Sequence, residues 1–290
     1  MISYTSIENS KDLIALVADF AQRGIKTLAM DFEEESNLHV YGEHLCLIQL
    51  FDGSRYYIID AWKIQNYPDG TDALRYLLES PIEKIMFDCS SDASIVRKTL
   101  KIQLRNIFDV RVIAQALGFM GNLTGLIERN LHIQSENPAL KKKYQRANWM
   151  KRPLAEEQIA YALDDVKFLF DLKLSLVDEL KTLPVTMQKK VAVTMRHCAE
   201  QKHSDKPGWE KICNYKTLNR EQKIYIRNFF IARDNLARKA NIPPTNVLEK
   251  QLIVQMAMDG TWEKVLDGPK LRYSGVFEQA RLKALEEIRR

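Results

Sequence analysis

Cysteine is scarce in this chain, long apolar runs are missing, and neither sign of charge dominates. Four cysteines in 290 residues, Cys46, Cys89, Cys198 and Cys213, are widely spaced and form no Cys-x-x-Cys pair. A disulfide framework or a thiolate metal finger is therefore excluded. Two of the thiols fall in apolar, strand-like strings, LCLIQL and IMFDC, as reduced cysteines of a cytosolic protein would. No apolar stretch approaches the roughly 18 residues of a membrane span. The start, MISYTSIENSKDL, has no basic segment leading into an apolar core, so no signal peptide is expected. The five histidines show no metal-ligand spacing, and there is no internal repeat or low-complexity stretch.

The charge balance excludes a uniformly basic nucleic-acid coat protein: 43 Lys/Arg against 38 Asp/Glu leave a net +5. Hydrophobic content of 46% and charged content of 28% exclude wholesale disorder. At roughly 150 residues per domain the length predicts about two domains. A globular chain of this size buries on the order of 75% of its unfolded surface, so it needs neither disulfides nor metal to fold. The charge is unevenly spread. From residue 201 onward there are 18 basic and 11 acidic residues, and before it 25 and 27. A basic last third suits either an acidic partner, nucleic acid first, or a solubilising surface.

The first half alternates strand and helix signals. Residues 11–22 have helical spacing and residues 26–33 read as a strand. LCLIQLF (45–51) and RYYIID (55–60) form a hairpin around Asp52-Gly53-Ser54. ALRYLLES is a helix, EKIMFD (83–88) a strand and DASIVRKTL a helix. NIFD then runs into VRVIAQALG, which Gly118 closes, and LTGLIERNL is a further helix. This alternation predicts an α/β sheet of mixed direction. Residues 155–181 read as one helix of about seven turns, ended by Pro184, and a second helix covers roughly 185–201. QKHSDKPG (201–208) reads as a linker. Beyond it a separate helical unit begins near Leu218 with a helix to about Ala240. Pro243 and Pro244 then break the chain, with Thr245 or Asn246 as the cap of the next helix.

Three acidic elements carry chemistry. Asp31 and Glu33 lie at i and i+2 at the end of an apolar strand, so both side chains share one face. Adjacent carboxylates repel unless cations neutralise them, and hard divalent cations take oxygen ligands. Taken alone, such a pair also fits acids that end a strand in solvent. Asp92 follows the strand EKIMF, where α/β proteins place ligand sites, or it caps a helix. Tyr161 and Asp165, four apart in YALDD, share one face of an otherwise apolar helix. Asp164 lies off that face and is read as solvated.

The order DxE, then Asp92, then YxxxD resembles the DEDD exonuclease family in its tyrosine-bearing branch. LCLIQLFDG, NIFDVRVIAQALGF and above all RANWMKRPLAEEQIAYALDDV are similar to ribonuclease D-like proteins. The resemblance covers roughly residues 1–183. It implies a ribonuclease H-like α/β exonuclease domain over 1–183, a helical linker over 184–206 and a small helical domain over 207–290. It implies that Asp31, Glu33, Asp92 and Asp165 hold two divalent ions, Mg²⁺ or Mn²⁺. Two ions roughly 3.5–4 Å apart can stabilise attacking and leaving oxygens of an in-line displacement at phosphorus. Tyr161 would then orient the attacking water, since a phenol with a pKa of about 10 is a poor base at pH 7.

The chain departs from the family pattern in two places. Glu34 and Glu35 stand where an aromatic and a nearby basic residue are usual, with His39 or Tyr41 as substitutes. FDCSSD carries Asp88 where many relatives have a histidine, which leaves Asp88 as an alternative to Asp92. Lys141-Lys142-Lys143-Tyr144-Gln145-Arg146 offers basic and aromatic residues for phosphate contact and base stacking, Lys142 and Tyr144 foremost, or forms a solvated loop. Trp149 and Arg152 are expected to fix the loop by packing and hydrogen bonding, and Asp109 to be structural.

Residues 209–288 resemble an HRDC module, carried by LNREQKIYIRNFFIARDNLARKANIPPTNVLEKQLIVQMA. Arg233, Arg238 and Lys239 are expected to form its basic, nucleic-acid-binding face. The whole then reads as a cytoplasmic, metal-dependent 3′–5′ exoribonuclease that releases 5′-nucleoside monophosphates. RNA 3′ ends, tRNA precursors among them, are the expected partners, with no membrane and no obligate protein partner. A Werner-type 3′–5′ DNA exonuclease, a weakly catalytic RNA-binding protein and an oligonucleotide nucleotidase are the alternatives.

Overall fold

A computed structural model of the protein describes residues 2–134, 143–200, 206–212 and 214–290. The chain forms two units, Met1–Glu35 with Glu43–Gln201, and Ser36–Gly42 with Lys202–Arg290.

The first unit is built on six strands: β1 (Tyr4–Ile7), β2 (Thr27–Ser36), β3 (Glu43–Phe51), β4 (Tyr56–Ile59), β5 (Glu83–Met86) and β6 (Ile107–Asp109). Their order is β1-β4-β3-β2-β5-β6. β1 runs parallel to β4, and β2, β5 and β6 are mutually parallel, whereas β3 and β4 are antiparallel. The sheet is therefore mixed, as expected. The β3–β4 turn is the expected one: the Asp52 carboxylate accepts from Ser54 N at 2.9 Å and Arg55 N at 2.7 Å, and Gly53 takes φ +90°. Leu45 to Leu50 are all fully buried, so β3 is covered on both faces. β2 runs three residues beyond the predicted end. Glu34 and Glu35, which follow the predicted strand, continue it, and Glu35 is completely buried.

Helices cover the sheet: α1 (Ser10–Gln22), α2 (Ala61–Ile64), α3 (Gly70–Leu78), α4 (Ser90–Ile95), α5 (Val110–Ala116) and α6 (Leu123–Leu131). Asn9 caps α1, Asp60 caps α2 and Asp109 caps α5, each through a carboxylate or amide oxygen on a backbone N–H. The single long helix expected over 155–181 is two helices, α7 (Glu156–Lys167) and α8 (Leu169–Leu180). The chain leaves helical geometry at Phe168, with φ −105° and ψ 5°. Apolar spacing continues through the break because Val166 before it and Leu169 after it enter the same cluster. Ala162 and Leu163 bury with Cys46 and Leu47, whereas Leu169, Leu172 and Leu176 bury with Val110 and Leu126.

Helix α9 (Val185–Glu200), expected as part of a linker, belongs to the first unit, where Val191 enters the same cluster as Leu172. Most of the expected linker at 201–208 lies outside the described residues. The second unit is helical: α10 (Arg220–Ala240), α11 (Pro244–Val247), α12 (Lys250–Asp259) and α13 (Ser274–Arg289). Ile226, Phe229, Ile253, Met256 and Phe277 form its core. Asn219 and Gln222 make a reciprocal cap at the start of α10. Thr245 and Asn246, expected as a cap, lie inside α11, and Glu249 precedes α12 without a side-chain cap bond. Among the described residues no helix is long and apolar enough to cross a membrane.

Candidate active site

β2 lies between β3 and β5, near the middle of the sheet. Its alternation turns Phe32 into the apolar core and leaves Asp31 and Glu33 together on the other face. α7 packs across β3 and brings Asp165 to the same place. One carboxylate oxygen from each of Asp31, Glu33 and Asp165 lies within 4.8 Å of the others. Asp92 stands in the first turn of α4 and is 8% exposed. It lies outside that compact trio but within electrostatic reach of Asp31.

Burial pushes the Glu33 carboxyl well above the usual range, and the charges of Asp31, Asp165, Asp92 and Glu34 push it further. Asp92 is raised in the same way, first by burial and then by Asp31, Glu34 and Asp109. Acids held this close and this dry cannot all ionise without a compensating cation. The donor set is entirely carboxylate oxygen, which fits a hard divalent ion and not a thiolate or imidazole metal. Glu34 is a fifth acid acting on this cluster. The sequence marked it only as a departure, because a residue pointing to the other strand face is not expected to reach the site.

Asp88 is turned elsewhere. It has φ +59°, accepts from Ser90 Oγ at 3.2 Å and is ion-paired with Arg111. Of the two acids in FDCSSD, Asp92 acts electrostatically on Glu33 and is itself raised by Asp31. Asp109 has the structural role expected. Its buried carboxylate accepts from Asp88 N, Cys89 N and Arg111 N at 2.9–3.0 Å. It thereby fixes the loop that leads into α4.

The Tyr161 hydroxyl donates to Asp165, and burial, followed by the charges of Asp165, Glu33 and Asp31, raises its pKa. The phenol therefore stays protonated at neutral pH and can hold an oxygen in place but not remove its proton. Tyr144 and Trp149 pack on its ring, each with centroids 6.0 Å away. Arg152 secures this loop: Nη1 donates to Trp149 O at 2.6 Å, and the guanidinium grips both Asp60 oxygens at 2.5 and 2.7 Å. Asp60 was not singled out in sequence; its cap position before a four-residue helix was the available signal.

The expected nucleic-acid contacts fare differently. Lys142 lies outside the described residues. Tyr144 is 5% exposed and its hydroxyl is bonded to Glu157, so it is not a platform for stacking bases. Arg233 is 2% exposed, with its guanidinium 4.1 Å from the Phe230 ring centroid and bonded to Asp234. It falls on the face of α10 defined by Ile226, Phe229, Phe230 and Ala237, which overrides its charge. Arg238 and Lys239 are exposed. Within the second unit Arg238 donates to the Tyr41 hydroxyl at 3.1 Å.

Residues 4–181 match the family model described as 3′–5′ exonuclease, and the chain belongs to that family. Within it the likeness is to ribonuclease D. The chain is 34% identical to ribonuclease D of Shewanella sp. (strain ANA-3) over 185 residues, 62% of this chain and 44% of that protein. It is 27% identical to ribonuclease D of Haemophilus influenzae over 245 residues, 83% of this chain and 59% of that one. It thus spans about half the length of these curated relatives. Among solved structures, the catalytic core of RRP6 from Trypanosoma brucei matches with TM-score 0.75 and 21% identity, over 99% of this chain and 81% of that one. Escherichia coli RNase D, described as an exoribonuclease involved in structured RNA processing, matches with TM-score 0.72 and 22% identity, over 98% and 76%. At these identities the structural likeness speaks for the fold.

Proposed function

We propose that this chain is a divalent-metal-dependent 3′–5′ exoribonuclease that releases 5′-nucleoside monophosphates from RNA 3′ ends. The observation that carries this is the convergence of Asp31, Glu33 and Asp165 from a central strand and a helix, with Tyr161 bonded to Asp165. In this reading Asp31, Glu33, Asp92 and Asp165 hold two ions, Mg²⁺ or Mn²⁺. The ions would supply a hydroxide near neutral pH and neutralise charge on the phosphate. Glu33 and Asp92, raised by burial and by their neighbours, would give up their protons to hold those ions. Tyr161, whose one hydroxyl proton goes to Asp165, accepts from the attacking water and orients it. Asp109 keeps the α4 start, and so Asp92, in register with β2.

RNA is favoured over DNA because relatives at 34% and 27% identity are ribonucleases D, and tRNA precursors are the substrate class we favour. Residues 1–183 form the exonuclease domain in this reading. Residues 207–290 form an HRDC-like module whose exposed Arg238 and Lys239 hold the RNA backbone through charge. The free thiols of Cys46, Cys89 and Cys198 support a reducing, cytosolic setting. The test is to incubate 3′-extended tRNA, single-stranded DNA and dinucleotides with Mg²⁺ or Mn²⁺, using the parent and Asp31→Ala. Release of mononucleotides from the RNA by the parent alone is expected. Degradation of DNA only would favour a Werner-type DNA exonuclease, cleavage of dinucleotides only a nucleotidase, and no release from any substrate would defeat the enzyme reading.

A further inference from the structure

Resting on that exonuclease reading, we infer that Tyr144 is a positioning residue: tethered to Glu157, its ring holds Tyr161 in the orientation that meets Asp165. Glu157, Tyr161 and Asp165 are spaced four apart, so they form one row along a single face of α7. Tyr144 reaches this row from the preceding loop. Its hydroxyl donates to Glu157 Oε2 at 2.5 Å, and Lys143 Nζ donates to the same hydroxyl at 2.9 Å. Lys143 Nζ also stands 3.7 Å from Glu157 Oε2 and 4.7 Å from the Tyr144 ring centroid. The tether therefore holds one end of the Tyr144 side chain while its ring packs on Tyr161 at 6.0 Å and 42°.

Trp149 supplies the second ring, at 6.0 Å and 30°. Its indole N–H has no hydrogen-bond partner, so what it gives Tyr161 is shape. The two packed rings restrict how the Tyr161 ring can turn, and its hydroxyl is left aimed at Asp165. Burial of Tyr144 removes it from direct contact with RNA, so its influence on the reaction passes through Tyr161. Substituting either member of the tether loosens one side of this bracket and leaves every ring and every site carboxylate in place.

The experiment compares Tyr144→Phe, Glu157→Leu, Glu157→Gln, Tyr161→Phe and the Tyr144→Phe/Tyr161→Phe double variant on a 3′-extended oligoribonucleotide. Unfolding midpoints and RNA affinity without added metal are measured alongside. Losing one hydrogen bond in the tether is expected to lower kcat by about 3- to 10-fold. KM and RNA affinity should stay at parent values, and the midpoint should fall by no more than a few degrees. Glu157→Leu should reproduce the loss, and Glu157→Gln, which keeps an acceptor, should restore it. In the Tyr161→Phe background the Tyr144 substitution should have no further effect, because the hydroxyl being positioned is gone.

Equal effects in both backgrounds, a raised KM, or a parent-like Glu157→Leu would each overturn the inference. A reading independent of turnover comes from protein with ¹³C-labelled tyrosine rings, with Tyr161 assigned through Tyr161→Phe. Its resonance should move in both Tyr144→Phe and Glu157→Leu. An unmoved resonance rejects the positioning role whether or not the parent cleaves RNA, whereas an inactive parent with a moved resonance rejects only the exonuclease reading.

Discussion

Replacing Lys84 with methionine should change the pH dependence of stability more than stability itself. Lys84 lies on β5, is completely buried, and donates from Nζ to Ser80 O at 2.8 Å and Arg105 O at 3.2 Å. Burial alone pushes its ammonium down from 10.5 to about 7. At about 1.4 kcal/mol per pH unit, that interval corresponds to about 5 kcal/mol of differential stability between the two protonation states. Between pH 7 and 10.5 the unfolded chain holds a proton here that the folded chain has released, so this group makes stability rise with pH through that window. Below about pH 7 the full cost of keeping or losing the buried charge is present. Lys84→Met keeps the aliphatic stem and removes this term. Ser80 O retains Asn106 Nδ2 at 3.1 Å, so Arg105 O is the carbonyl that loses its side-chain donor. Urea unfolding of both proteins from pH 6 to 9.5 provides the assay. The gap between them should shift in favour of the parent by about 2.5 kcal/mol from pH 7.5 to 9.5. Curves that stay parallel within about 0.5 kcal/mol would show that the buried ammonium keeps its proton, and the reasoning would fail.

Asp31→Asn should lower mononucleotide release at least about 100-fold with little change in the unfolding midpoint; an active variant would remove Asp31 from the site. Glu33 has a folded pKa raised above its unfolded value of 4.5, so without metal its share of stability falls as pH rises from there. Glu33→Gln should therefore be the more stable protein in chelator at pH 7, and thermal melts should show parent and variant exchanging order when Mn²⁺ is added. For the parent, ions at 100 times their dissociation constant should add about 2.7 kcal/mol, read as an upward shift in the midpoint. Arg152→Ala leaves Asp60, whose side chain is 7% exposed, without its bidentate partner. This should cost about 3 kcal/mol in denaturant unfolding, and adding Asp60→Asn should recover part of it.

The members of each pair in the candidate site were legible as neighbours because strand and helix periods put them on one face, and the resemblance to the exonuclease family is what joined the two pairs with Asp92. Two acids two apart on a strand, and a phenol and an acid four apart on a helix, share a face whatever surrounds them. The hairpin around Asp52 and the caps at Asn219 and Gln222 are local in the same sense. Features set by partners distant in sequence were not legible. The break at Phe168 is hidden because apolar residues run through it, Val166 before it and Leu169 after it entering one cluster while Ala162 and Leu163 enter another. Arg233 reads as surface by charge, and only its phase relative to Ile226, Phe229 and Phe230 places it inside. Tyr144 reads as an exposed aromatic among lysines until Glu157 and Tyr161 are seen beside it. The extension of β2 past Glu33 depends on its neighbours in the sheet and not on its own polar residues.

The placement of the acids on two kinds of element has a consequence for how the site comes apart. Asp31 and Glu33 sit on an inner strand flanked on both sides, whose backbone bonds open only when the sheet itself does. Asp165 and Tyr161 ride on a helix held down by a loop, two aromatic rings and one guanidinium clamp. Opening of that loop and helix would separate Asp165 from the strand acids while the rest of the unit stays folded. Half of the centre thus inherits the global stability of the fold, and the other half a smaller, local one. Amide exchange should accordingly be slow along β2 and faster along α7, and loss of a bound ion should follow the rate of the second.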